Sequence, residues 1–322
     1  MDWHSTLFAW LWPGVPAGQG PAQGYEAPIH GLRGLLHTLQ PEQPSGPSKG
    51  DAWHRNVAHH LRVSGVLSQH WPQALGSPMV MKGFDYATNL YPNVGLRHSN
   101  DIDILIQPGL FTLVCDELSK KMVKRARPVE NRWTSERPSA VTFEHDGICI
   151  DVHRVPIMEH QTRLDLEQLF ARSEGGRLGD VAVTFPSPKD RLWLWLHNFC
   201  KNSQPLALHH LVDLILIMKA LSLHETDQDH WQPIVREAEA LGLGLILRTA
   251  LGHLNASALW CYPISESYLS DITFSVDHWV RRQQPSKWML PIKACHQIML
   301  TPPGHRAQVS IRLLSRVRSR VR

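Results

Sequence analysis

Three aspartates set in apolar, strand-like stretches are the residues of this chain best placed for chemistry. In "DIDILIQ" (residues 101–107), Ile102, Ile104 and Ile106 alternate with Asp101 and Asp103. A strand repeats every two residues, so the two carboxylates share the face opposite the isoleucines, roughly 7 Å apart at the backbone. Like charges that close need something positive between them, or one must take up a proton. In "GICIDVHRV" (147–155), Asp151 emerges between Ile150 and Val152, on the side of Cys149 and His153. If this strand lies beside the first, three carboxylates converge. Hard oxygen donors of that kind suit Mg²⁺, which takes one or two carboxylates plus substrate phosphates. Three of them could hold two ions, one activating a hydroxyl nucleophile and one clamping a triphosphate. A lone Asp-x-Asp carries no such meaning, since it is common on exposed strand faces.

The surrounding elements sharpen the pattern. "MVMKGF" (79–84) reads as a strand running into a turn and a helix, and Gly83 with the N–H groups that follow can receive phosphate. Lys82 adds a positive charge at that turn. Arg97 lies four residues before Asp101, where it would contact a phosphate or serve as a charge partner for the acids, the alternative being a surface loop arginine. His153 would orient a carboxylate, ligate an ion softer than Mg²⁺, or serve only structurally, as an isolated strand histidine more often does.

The order of strand, glycine turn, helix, Asp-x-Asp strand and later single Asp resembles the nucleotidyltransferase superfamily of DNA polymerase β and the aminoglycoside nucleotidyltransferases. More closely, Lys82-Gly83, Tyr91-Pro92, Arg97, Asp101-x-Asp103 and Ile150-Asp151-Val152-His153 resemble an uncharacterised nucleotidyltransferase family, over roughly residues 50–225. His197, His209 or His210, and Asp213 match its helical half loosely. The resemblance implies Mg²⁺-dependent transfer of a nucleoside monophosphate from an NTP such as ATP to a hydroxyl, with two ions, Mn²⁺ being the alternative metal. Asp101, Asp103 and Asp151 would be the catalytic and metal-binding residues. Lys82, Gly83, Phe84, Arg97 and His153 would line the nucleotide site. The superfamily usually has Ser after the turn glycine; here it is Phe84, which weakens the expected hold on the triphosphate.

The fold class expected is α+β: a small mixed β-sheet core between N-terminal helices and a C-terminal helical bundle. The boundaries expected are 1–77 for an N-terminal helical region, 78–157 for the core, 158–303 for the bundle and 304–322 for a basic tail. A helix is predicted from Asp51 to about Trp71, and a shorter one over 30–39. "AVTFEHDGICIDVHRV" (140–155) predicts a hairpin, because Asp146-Gly147 separates two alternating runs. After Pro156 the pattern reads as almost wholly helical.

Composition narrows the setting. The chain has 322 residues, 43% of them hydrophobic and 19% charged, enough for one large domain or two to three small ones. No apolar run approaches the roughly 20 residues of a membrane span. Five dispersed cysteines without C-x-x-C spacing point to a reducing, cytoplasmic setting rather than a disulfide framework. Net charge is +4, but six arginines follow Gly304 with no acid among them, so the basic character belongs to the tail. That tail could meet RNA or an anionic surface. The acceptor is left open between a small molecule, a peptide or protein, and an RNA. A degenerate site in a nucleotide-binding or assembly protein is the alternative to an enzyme.

Overall fold

The computed structural model describes residues 7, 10, 11, 49–125, 140–156, 163–202, 208–223 and 228–256. The expected helix over 30–39 and the Arg-rich tail lie outside the described residues. The chain divides into two compact units, one of 31–158 with 165–194, the other of 1–30 with 159–164 and 195–322.

The first unit holds a seven-stranded mixed sheet in the order β3-β4-β5-β2-β1-β7-β6. The strands are β1 (Met79–Met81), β2 (Asp101–Leu105), β3 (Val123–Arg125), β4 (Ala140–His145), β5 (Ile148–His153), β6 (Glu174–Leu178) and β7 (Val181–Phe185). With them come helices α1 (Lys49–His70), α2 (Gly83–Asn89), α3 (Phe111–Ser119) and α4 (Leu166–Ala171). The α+β class expected from sequence is what the chain forms.

One face of the sheet is apolar because the strands alternate. Val80, Ile102, Ile104, Ile150 and Val152 are buried with Val63, Val66 and Leu67 of α1 and with Phe111, Val114 and Leu118 of α3. Pro72 follows α1, where a missing N–H and the restriction on the preceding residue stop a helix. The β4–β5 hairpin turns on Asp146 (φ 50°) and Gly147 (φ 76°), the left-handed pair of a type I′ turn.

The expectation that the chain is almost wholly helical after Pro156 needs correction. β6 and β7 form an antiparallel hairpin, and β7 pairs in parallel with β1 through Met79 and Thr184. β6 is glycine-rich: a side chain on Gly176 would meet the Phe185 ring at 2.5 Å, so the aromatic ring covers bare backbone there.

α5 (Pro188–Asn202) crosses the division between the units. The second unit continues with α6 (Leu208–Ala220), α7 (Gln228–Ala240) and α8 (Gly244–Ala256). Its described core includes Leu211, Leu214, Ile215, Leu247 and Leu251. Buried Leu7 and Leu11 belong to this unit too, and Lys219 Nζ donates to the Leu11 carbonyl at 2.6 Å. Among the described residues no helix is long and apolar enough to cross a membrane.

Candidate functional site

The sheet register brings the acids together. β2 and β5 run parallel, with Asp103 opposite Asp151, Asp101 opposite Cys149 and Leu105 opposite His153. Facing residues on neighbouring strands project to the same side, about 4.8 Å apart by strand spacing. On that side Asp103, Asp151 and His153 offer ligand atoms all within 4.8 Å of one another. Asp101 stands two residues along β2 from Asp103 on the same face, outside that compact group. The expected trio of aspartates is thus a group of two aspartates and a histidine, with the third acid beside it.

Each acid is held differently. Asp103 Oδ1 accepts from Lys82 Nζ at 2.5 Å and from His153 Nε2 at 2.7 Å. A carboxylate can only accept, so the shared proton sits on the histidine nitrogen. Burial alone would raise the Asp103 carboxyl, but the Lys82 charge and the His153 hydrogen bond outweigh it and hold it well below the usual carboxylate range. Asp101 behaves oppositely: burial, then the charges of Asp103 and Asp151, push it up to about 6. Asp151 Oδ1 accepts from Thr142 Oγ1 at 2.5 Å, across the β4–β5 pair that sets those two residues opposite each other. Nothing in the local pattern around Thr142 marks this hydroxyl for that role.

The turn at the end of β1 places its strain on the charged residue. The residue with positive φ is Lys82 (φ 60°, ψ −136°), not Gly83. Gly83 is needed for a different reason. A Cβ there would meet Ser99 Oγ at 2.9 Å and come to 3.9 Å from an Arg97 terminal nitrogen. Gly83 therefore lets the β1–α2 turn approach the loop that carries Arg97 and Ser99. Arg97 is buried and donates to the His98 carbonyl.

That loop is fixed from α1. Asn56 Nδ2 donates to the Gly95 carbonyl at 2.8 Å, and Trp53 packs so near Gly95 that a Cβ would meet its ring nitrogen at 2.5 Å. The Phe84 side chain is buried and stacks on His60, ring centroids 4.0 Å apart, so its ring is turned to the core rather than to a ligand. α2 is anchored by a second feature missed in the sequence. Buried Asp85 takes Arg191 Nε of α5 at 3.0 Å from both carboxylate oxygens, and Asn89 Nδ2 at 2.8 Å.

Residues 76–257, more than half of the chain, match the family described as an uncharacterised nucleotidyltransferase. The chain belongs to that family. No curated protein matches it. Among solved structures it is similar to an antigenic nucleotidyltransferase-like protein from Paracoccidioides brasiliensis, 13% identical, over 62% of this chain and 93% of that one, with a TM-score of 0.32. The loosely matched helical residues of this nucleotidyltransferase-family chain lie in the second unit. There His197 and Asp213 are buried, while His209 and His210 are half-buried with their rings 4.1 Å apart.

The donor set fits a divalent cation. Oxygen ligands at about 2.1 Å put opposite donors at most about 4.2 Å apart, so the Asp103 and Asp151 oxygens, within 4.8 Å of each other, need only small side-chain adjustments to share an ion, while His153 as a donor would orient Asp103. Burial first, and then the Asp103 and Asp151 charges, raise the Asp101 carboxyl, and a cation would offset the second of these causes.

Proposed function

We propose that the protein transfers a nucleoside monophosphate from an NTP to a hydroxyl acceptor, with Mg²⁺ or Mn²⁺ at the β2–β5 face. One observation carries this: Asp103 and Asp151 stand opposite each other on adjacent parallel strands, with Lys82-Gly83 at the end of the strand on the other side of β2. Bound metal would supply charge neutralisation at the phosphates and would lower the pKa of the attacking hydroxyl. Asp103 and Asp151 hold it, with Asp101 beside them and His153 keeping Asp103 oriented. Asp151, aligned by Thr142, is the base nearest an acceptor hydroxyl. The N–H groups at the start of α2 and the Arg97 guanidinium receive the phosphate oxygens. The site sits in a chain for which we propose a cytoplasmic setting, and the Arg-rich tail is the natural handle for an RNA acceptor or another anionic surface.

Phe84 favours a second reading. Its ring is in the core where the superfamily usually offers a serine hydroxyl to the triphosphate, so a degenerate site that carries out no transfer is the alternative. Incubation of the full chain with each α-phosphate-labelled NTP, Mg²⁺ or Mn²⁺ and cell extract separates the two. Label should move to an acceptor with the wild type and not with Asp103→Asn or Asp151→Asn. Equal labelling by the variants would overturn the transferase reading; metal-independent nucleotide binding without pyrophosphate release would establish the second.

A further inference from the structure

The ammonium of Lys82 occupies an unusual position, and its role follows from three observations. Its backbone lies at φ 60°, ψ −136°, a region that costs an L-residue strain and glycine none. The ordinary backbone belongs to its glycine neighbour, so the strained position is the one that carries the charge. Lys82 Nζ is 2.5 Å from Asp103 Oδ1, and His153 Nε2 reaches the same oxygen at 2.7 Å. Both side chains of the ion pair are largely withdrawn from water, at 11% and 15% exposure. The two acceptor directions of that oxygen are therefore taken by protein donors. A divalent ion arriving at Asp103 meets a like charge already seated on the carboxylate it needs.

Resting on the metal-and-triphosphate reading above, we propose that Lys82 is a built-in counter-ion: a divalent cation displaces it from Asp103, and the freed ammonium binds the triphosphate. His153 remains as the donor that keeps Asp103 in place. Lys82 immediately precedes α2, and Arg97 lies against the adjacent Gly83. An ammonium leaving Asp103 therefore stays in the corner where phosphate oxygens and a second cationic side chain meet. Metal and nucleotide then help each other through this one side chain. Metal releases the lysine, and the phosphates reward its release, so each ligand raises the other's affinity by the same factor.

The test is Mn²⁺ binding to the full chain by electron paramagnetic resonance and calorimetry, with and without the α,β-methylene analogue of ATP. Wild type is compared with Lys82→Met and Lys82→Gly, the glycine variant being comfortable at positive φ if the methionine one folds poorly. Both variants should bind Mn²⁺ alone about ten-fold tighter than wild type. Both should bind the analogue in saturating Mn²⁺ about ten-fold weaker, and so lose most of the mutual enhancement. If the variants bind both ligands tighter, or bind both as wild type does, Lys82 is a fixed counter-charge and the inference falls alone. If neither wild type nor variants bind Mn²⁺, the metal reading falls and takes the inference with it.

Discussion

Arg191→Met should unmask the cost of the buried Asp85 carboxylate, and should do so with a defined pH dependence. Asp85 is fully buried and Arg191 is 4% exposed, so neither charge is appreciably solvated by water. Removing one partner of such a pair typically costs about 3–5 kcal/mol, because the other charge stays buried and alone. The carboxyl can escape by taking a proton. Burial already pushes Asp85 up to about 7 against the opposing pull of Arg191 and Asn89. A folded pKa above the unfolded value of 3.8 means that the folded state binds more protons between them. Its contribution to stability is complete below pH 4 and is lost as pH rises through 7. Without Arg191 the folded pKa moves higher, so the variant goes on losing stability above pH 7 where the wild type levels off. Each pH unit is worth about 1.4 kcal/mol, so the penalty at pH 9 should exceed that at pH 7 by up to about 2.7 kcal/mol. Urea denaturation at pH 6, 7 and 9, followed by a probe within the sheet unit, measures it. Asp85→Asn in the Arg191→Met background should flatten the difference. A penalty equal at all three pH values would refute the reasoning, since the missing charge would then not be its source.

Three further outcomes follow from the same structure. Gly83→Ala should push Ser99 Oγ off the Asp101 carbonyl, to which it donates at 2.8 Å, at a cost of about 1 kcal/mol. Because the damage is that contact, Gly83→Ala with Ser99→Ala should be no less stable than Ser99→Ala alone, as read by thermal melting. His197 is fully buried, with neither ring nitrogen hydrogen-bonded among the described residues, and burial pushes its pKa down to about 3. Neutral His197 therefore supports the fold above pH 6.5, and that support is lost as pH falls toward 3. His197→Leu should remove up to about 2.7 kcal/mol of the wild type's loss between pH 6.5 and 4.5; parallel stability curves would contradict it. Thr142→Val keeps the strand and removes the hydroxyl that aligns Asp151, and should weaken Mn²⁺ binding about ten-fold by calorimetry, as loss of a partner behind a metal ligand commonly does.

Local patterns made part of this fold legible. The period of two in 101–106 and 148–152, and the Asp146-Gly147 turn, are backbone chemistry written in neighbouring residues, and β2, β4 and β5 appear where they predict. β6 escaped notice because its five residues, "EGGRL", hold two glycines and no alternation, and what secures them is Phe185 from the next strand. β3 is exposed at all three positions and bears no apolar signature. The Asp85–Arg191 pair joins residues 106 apart and leaves no local trace beyond a carboxylate in one first helical turn and an arginine in an apolar run.

The candidate site depended on a fact of another kind. That Asp101, Asp103, Asp151 and His153 avoid the isoleucine faces follows from alternation. That Asp103 meets Asp151, with His153 near enough to bond it, follows from a parallel pairing in one register. A slip of one residue along β2 would set Asp103 against the wrong face of β5 and send Asp151 toward the apolar core, an error the isoleucines would resist by losing their own burial. The same hydrophobic alternation that hides Ile102, Ile104, Ile150 and Val152 thus enforces the alignment that gathers the acids. Lys82 shows where such inference stops. Its sequence position announced a cation near a turn, but whether it faced phosphate or carboxylate depended on β1 pairing antiparallel to β2 with Met81 opposite Asp103, which brings the next residue's ammonium onto that carboxylate.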